Sequence, residues 1–447
     1  MTRSVNNQNK VLIVSYNPLS KEGANGRTLE FLVGAYDANN ISQVYFSGET
    51  PDFSVCHNYY RVCENQLLKS VLKRKKAGGR VSDTADHTLV SNPDEEKTAD
   101  GIARYAKKNK RSVCIKFFRN ILWKIGRKKW QTQEFDEWIQ DVSPDVIITI
   151  SGKNSCFHAI AVDLSRKYHL PLVVYHCEDY CMKNTQGRSF LYKRYISGLK
   201  KSVKRMMECA SLAIYNSNRI KQIYEENFKT TSLVAYMSTD MIPREEKKTM
   251  SNLHSMVFSY IGNLGLDRYR SLYEISKALK KVVPGAVLNI YAPSVPDDFV
   301  PLLESTDNMN YKGYVSYSEC RKIMMESDVL VHAESFDEKT KSDLQIAFST
   351  KIADSLASGV PFFVYAPIGI ASTDYLLETH SACVATNSDE LYSKLIEFVN
   401  SEKVRHEYVT AAQRVAKENH SFAVTTEMIA NSIRCVVETQ KENHGKT

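Results

Sequence analysis

The sequence predicts an α/β protein built from two Rossmann-like domains, and three observations carry that prediction. Val11 to Tyr16 is an apolar run, followed by a loop with Gly23 and Gly26, a helical pattern over 27–36 and a second β-rich run over 41–46. The same order restarts at Met256: a strand to Ile261, the loop Gly262 to Arg270 leading into a helix through Lys281, and a strand over 287–291. Gln345 to Tyr365, QIAFSTKIADSLASGVPFFVY, then supplies a helix and a buried strand in sequence.

Length and composition agree with this class. A chain of 447 residues is long enough for two domains, and 43% hydrophobic with 25% charged residues are globular values. The net charge of +8 suits an anionic partner: a nucleotide, an acidic membrane or a nucleic acid. No recognition motif supports nucleic acid. The ten cysteines are scattered, and Cys177 and Cys181 have no second pair at metal-binding spacing, so they read as reduced thiols of a cytosolic protein. Val11 to Val14 is too short for a signal peptide, and no apolar run approaches the ~20 residues of a membrane span.

In the first half, the loop Asn17 to Gly26 has neither the dinucleotide nor the P-loop glycine pattern. It suits close approach of a ligand and equally a flexible turn. From about 73 to 130 the pattern departs from a plain α/β alternation. Lys73 to Lys76 and Lys107 to Arg111 are basic, and Ser82 to Asp100 is polar. In Cys114 to Trp130, a helical wheel puts Phe117, Phe118, Ile121, Leu122 and Ile125 on one face, among Lys116, Arg119, Lys124, Arg127 and Lys128. That pattern fits a helix lying in an anionic membrane interface, and also a domain helix burying its stripe in the core.

Alternation resumes with strands over 145–150 and 172–176, the second delivering His176, Glu178 and Asp179 to its carboxyl end. Ligands bind at that end of an open α/β sheet, so an imidazole and two carboxylates there are candidates for holding or deprotonating an acceptor hydroxyl; a polar turn is the plain alternative. A Lys/Arg-rich helix over 190–209, a strand, a helix and a short strand close this half. Asp240 to His254, polar and carrying Pro243, reads as the linker.

In the second half, Gly262, Asn263 and Gly265 precede Arg268 and Arg270 at a helix start. Glycines allow close backbone approach and arginines supply charge, a combination suited to a diphosphate. The strand 329–332 delivers Glu334. In the helix–strand stretch, Ser349 and Thr350 stand at a helix start with Lys351 beside them. Asp354 lies one turn on, away from the apolar face and able to accept from a sugar diol. Gly359 ends the helix in the left-handed conformation glycine tolerates. An ordinary αβ unit with a solubilising lysine fits that stretch as well. After Ser388 the chain reads as helical to about Glu438.

GNLGL with a following Arg, the Glu-Ser-Phe turn and STKIADSLASGVPFFVYAP together resemble the GT-B fold of nucleotide-sugar-dependent glycosyltransferases. They resemble in particular the retaining class often called family 4, especially bacterial surface-polysaccharide enzymes. The likeness spans most of the chain outside about 73–130 and is weaker in the first half, at SYNPLSKEGANGRTL and LPLVVYHCEDY. It implies an acceptor-binding domain over 1–240, a deep interdomain cleft, a donor-binding domain over 255–420 and a tail helix over 421–440 packing back on the first domain. Asp354 would hold the donor ribose. The usual pair of glutamates eight apart is not intact, since Ile346 stands eight before Asp354, and Glu334 would take part of that role. Arg268, Arg270, Lys351 and the Ser349 and Thr350 amides would face the leaving diphosphate. No metal is implied and no Asp-x-Asp motif occurs. The expected activity is sugar transfer from a nucleotide-diphosphate sugar to a glycan or lipid-linked acceptor, in the cytoplasm or peripherally at the inner membrane face through residues 114–130. A sugar-nucleotide epimerase and a non-catalytic, membrane-associated assembly protein are the rival expectations.

Overall fold

The computed structural model describes residues 9–21, 24–73, 76–83, 113–179, 182, 185–244 and 255–445. The stretch 84–112, with Lys107 to Arg111 and most of the polar run to Asp100, lies outside them, as do residues 245–254 of the expected linker and parts of the 17–26 loop and the Lys73 to Lys76 run. The chain divides into two compact units, Met1–Val234 with Thr426–Thr447, and Ala235–Thr425.

The first unit holds an eight-stranded sheet: β1 (Val11–Ser15), β2 (Ile41–Tyr45), β3 (Asn58–Arg61), β4 (Gly79–Val81), β5 (Val146–Ile150), β6 (Leu172–His176), β7 (Ala210–Tyr215) and β8 (Ser232–Val234). Its order is β4-β3-β2-β1-β5-β6-β7-β8, parallel except for the β3–β4 pair. The helices are α1 (Ala24–Val33), α2 (Glu64–Lys73), α3 (Val113–Trp130), α4 (Gln133–Val142), α5 (Ser155–Tyr168), α6 (Phe190–Cys209) and α7 (Asn218–Glu225). β1, β2 and β6 are buried along their whole length, as strands of parallel sheets covered on both faces are. β1 and β6 read as near-continuous apolar runs, while β2 carries Ser42 and Gln43, which donate to Val11 O at 3.1 Å and Ser15 Oγ at 2.7 Å.

Helix α3 belongs to this core, but not by the stripe the sequence suggests. Trp123 and Trp130 are buried with Phe46, Phe135 and Phe157, and a Cβ at Gly126 would collide with Leu67 of α2, which packs directly on the helix there. Phe117, Phe118, Ile121 and Ile125 are exposed instead. Leu122 parts company with them and packs partly into the core. Arg119 also turns inward, donating to Glu64 Oε2 at 3.0 Å. The two indoles, at a spacing of seven with a close-packed glycine between them, mark the face that turns in.

The second unit holds β9 (Val257–Ile261), β10 (Val287–Tyr291), β11 (Met309–Gly313), β12 (Val329–Ala333), β13 (Phe362–Tyr365) and β14 (Cys383–Ala385), in the order β11-β10-β9-β12-β13-β14 and all parallel. Its helices are α8 (Arg268–Val282), α9 (Val300–Glu304), α10 (Tyr317–Glu326), α11 (Glu338–Leu344), α12 (Lys351–Ala357), α13 (Ala371–Glu378), α14 (Ser388–Asn400) and α15 (Glu402–Asn419); α16 (Phe422–Gly445) follows. Residues 240–244, the described start of the expected linker, and 235–239 before them are held within the second unit. Tyr236 packs on Phe348, Tyr375 and His420, and the Arg244 guanidinium donates to Met325 O and Ser327 O at the end of α10. Gly359 terminates α12 at φ +72°, where a Cβ would also stand 2.9 Å from Gln413 Nε2.

Candidate functional site

The second unit's sheet changes direction between β9 and β12. The chain passes from β9 outward to β10 and β11, then returns beside β9 as β12 and proceeds outward the other way. The loops leaving these two neighbours diverge at their carboxyl ends and open a crevice, the usual ligand position in such sheets.

Both loops deliver charge to that crevice. After β9, Tyr260 donates to Asn263 O at 2.8 Å and the Gly265 amide donates to Asn263 Oδ1 at 2.6 Å, tying the turn. A Cβ at Gly262 would stand 2.7 Å from the Tyr260 hydroxyl, so glycine is required there for that bond to form. Leu266 and Asp267 both adopt left-handed backbone, at φ 62° and 56°, a costly arrangement for two residues with side chains. It sets Arg268 at the first position of α8. After β12, Glu334 is buried and accepts from Arg268 Nε at 2.7 Å and Nη2 at 3.2 Å. Ser271 of α8 donates to Glu334 O at 2.7 Å, so side chain and backbone of Glu334 are both held. His332 Nε2 stands 3.4 Å from Glu334 Oε1, at ion-pair distance without the alignment of a hydrogen bond. Burial pushes the Glu334 carboxyl up, but His332 and Arg268 outweigh it and hold it below the usual glutamate value.

Lys351 opens α12 and is solvent-accessible. Desolvation by the protein around it and then the charge of Arg268 hold its ammonium below the usual lysine value, with Glu334 pulling the other way. Two cations and one buried carboxylate thus leave a net positive charge at the crevice. The Ser349 amide does not add to it, because it donates to Ser372 Oγ at 2.9 Å. Thr350 is exposed and makes no side-chain cap. At seven residues α12 is short, so its dipole adds little to full charges.

Three further expectations change. Asp354 is not open to solvent: residues 352–357 are all buried, and its Oδ1 accepts from Thr239 Oγ1 at 2.6 Å and the Tyr317 hydroxyl at 3.3 Å. Arg270 is exposed, its guanidinium 5.3 Å over the Tyr269 ring, and makes no contact with Glu334 among the described residues. In the first unit, His176 is fully buried between Tyr215 and Tyr224, with Nε2 3.1 Å from Met207 Sδ. Burial and the neighbouring His158 lower its pKa to about 3, so it is a neutral core histidine and not an accessible base. Asp179 is fixed in its turn, accepting from the Met182 amide at 2.8 Å and the Tyr224 hydroxyl at 3.3 Å. Glu178 stays exposed, 3.7 Å from Lys153 Nζ.

The first unit's own change of direction falls between β1 and β5, one strand away from His176. Tyr16 after β1 and Ser151 to Asn154 after β5 occupy that position. Arg119 of α3 reaches Asn154 Oδ1 at 3.5 Å and lies 5.7 Å over the Tyr16 ring. Sequence reasoning missed this cluster because Arg119 arrives from a helix far along the chain. It also passed over His332, although a residue two before Glu334 on a strand faces the same side.

No family model matches the chain, and no curated protein matches it by sequence. Solved structures do match by fold. WaaG, a glycosyltransferase involved in lipopolysaccharide biosynthesis, is 12% identical, with 95% of this chain and 99% of that chain covered at a TM-score of 0.56. HepE of Anabaena, solved in complex with UDP, is 14% identical over 95% and 100% of the two chains at 0.61. The sucrose-phosphate synthase of Thermosynechococcus elongatus is 10% identical over 96% and 99% at 0.62. The chain therefore has the GT-B fold of these glycosyltransferases. At such identities the likeness is one of fold, and activity has to be argued from the residues.

Proposed function

We propose that the protein is a glycosyltransferase moving a sugar from a nucleotide-diphosphate donor to a hydroxyl of a glycan or lipid-linked acceptor in surface-polysaccharide assembly. The observation that carries this reading is the placement of Arg268, Glu334 and Lys351 where β9 and β12 diverge. Cleaving the donor's sugar–phosphate bond leaves negative charge on the diphosphate. Fixed cations at that point favour the transition state over the ground state. Glu334 acts as a positioning residue, locking the Arg268 fork. Arg268 and Lys351 take the role a metal fills in other designs, so activity is expected to persist in chelator. Retention of anomeric configuration belongs to the same reading and rests on the family resemblance alone. On the acceptor side, Glu178 is the more exposed of the two acids considered, and the Tyr16–Arg119–Asn154 cluster is the companion polar surface. Peripheral attachment at an anionic membrane face through residues 114–130 completes the reading.

The test is titration calorimetry with UDP, GDP and CMP, followed by sugar release and product anomer assignment by NMR with the matching donor. Binding of one nucleotide in the parent and its loss in Arg268→Ala/Lys351→Ala is expected. Equal binding in both would remove the donor-site assignment.

A further inference from the structure

The exposed face of α3 has a partner in the same unit. Phe117, Phe118, Ile121 and Ile125 are between 38% and 69% exposed, and Phe190 and Leu191, at the first turn of α6, are 76% and 55% exposed. The two helices touch: Lys116 Nζ lies 4.3 Å over the Tyr195 ring. Phe117 follows Lys116 directly, and Leu191 lies one turn before Tyr195, so both apolar groups flank one contact.

Charge is concentrated on the same helices. α3 carries six Lys and Arg and no acid, and α6 carries six with Glu208 alone opposing. Their surplus of eleven exceeds the +8 of the whole chain, so the remainder is net negative. Part of that charge is spent inward: Arg119 binds Glu64, while Arg127 and Arg205 reach Asp163 at 2.7 and 3.6 Å. Lys124 and Lys128 of α3 and Lys193, Arg194 and Lys201 of α6 are exposed.

We infer that α3 and α6 form one composite docking surface for an anionic lipid bilayer, with Phe117, Phe118, Ile121, Ile125, Phe190 and Leu191 as the apolar anchors. This deepens the reading of peripheral membrane attachment above by adding α6 to it. Aromatic and aliphatic groups ringed by cations and almost free of acids match the acyl boundary and phosphate layer of such a bilayer. A second copy of this chain would bring the same positive surface and repel it, which argues against self-association as the occupant.

The experiment is co-sedimentation of the full chain with phosphatidylcholine vesicles, with and without phosphatidylglycerol. Binding to the anionic vesicles only, weakening as salt shortens the screening length from about 10 Å at 0.1 M to about 3 Å at 1 M, is expected. Phe117→Ser/Phe118→Ser and Phe190→Ser/Leu191→Ser should each weaken partitioning about tenfold or more while keeping the parental melting curve, because none of these side chains is in the core. Arg194→Glu/Lys201→Glu, which leaves every apolar group in place, should weaken it as well. Parental partitioning of both α6 variants would overturn the composite surface and leave α3 alone. So would a dimer in light scattering that both serine variants dissociate, since the occupant would then be a second copy. UDP calorimetry on the same samples tests the transferase reading separately, as none of these residues lies at the β9/β12 crevice.

Discussion

Arg268 and Lys351 owe their chemistry to neighbours. Glu334 uses both oxygens to hold Arg268, whereas Lys351 stays accessible with a depressed pKa. Arg268→Ala and Lys351→Ala are expected to lower kcat about a hundredfold with smaller changes in KM, because the charge they meet grows in the transition state. Steady-state kinetics check this, and unchanged kcat with raised KM would show ground-state binding only. Lys351 also predicts a pH dependence. Bound diphosphate favours the charged amine, so donor affinity should fall as pH rises through the free protein's Lys351 pKa, which lies below the ordinary 10.5. Lys351→Arg keeps its charge through that range and should flatten the profile in calorimetry. The places of Arg268 and Lys351 at helix starts and of Glu334 just after a strand were legible in the sequence. The burial of Asp354 and His176 was not, since each depends on side chains over 30 residues away, such as Thr239 and Met207.

At the scale of elements, strong local signals carried through. The α12–Gly359–β13 unit follows the glycine-stop and β-propensity pattern, though not the expected hydroxyl cap at its start, and α5 and α6 match their periodicity. β3, β4 and β14 gave no usable signal: they have three or four residues, and their position is set by pairing with a neighbour. Helix α3 was legible as a helix but ambiguous in facing, because it has two apolar stripes and only packing chooses between them. Asp354→Ala tests the corrected role of α12. It leaves the Thr239 and Tyr317 hydroxyls short of an acceptor and should cost about 1–3 kcal/mol of stability. Denaturant unfolding measures this. An unchanged midpoint would mean that the carboxylate contributes little to the fold.

For the whole molecule, three buried histidines set the response to acid. Burial lowers His158 to about 4, His176 to about 3 and His420 to about 4, from 6.5. Above pH 6.5 neither the folded nor the unfolded chain protonates them. Below it the unfolded chain takes up protons first, so stability should fall between about pH 6.5 and pH 3. Two of the three lie in the first unit, which should be the more acid-sensitive in denaturant titrations at pH 7 and 5; equal midpoints at both pH values would mean that these sites are not neutral in the fold. The two-unit architecture was legible from the restart of the alternation at Met256. The boundary at Val234 was not, because the polar run that reads as linker begins only at Asp240, whereas the second unit already begins at Ala235 and buries Tyr236 and Met237.

The sheet borders have a consequence for handling the protein. Outermost strands offer unpaired backbone groups to any passing chain, and long, flat ones seed aggregates. Among the described residues, β4, β8 and β14, three of the four outermost strands, are three residues long. The fourth, β11, carries exposed Lys312, a shifted register against β10 and Gly313 at φ 82°. None presents a template long enough for stable strand addition. Concentrated solutions of the folded protein should therefore stay free of fibrils, and any cross-β material should arise only after the buried inner strands have been exposed by unfolding.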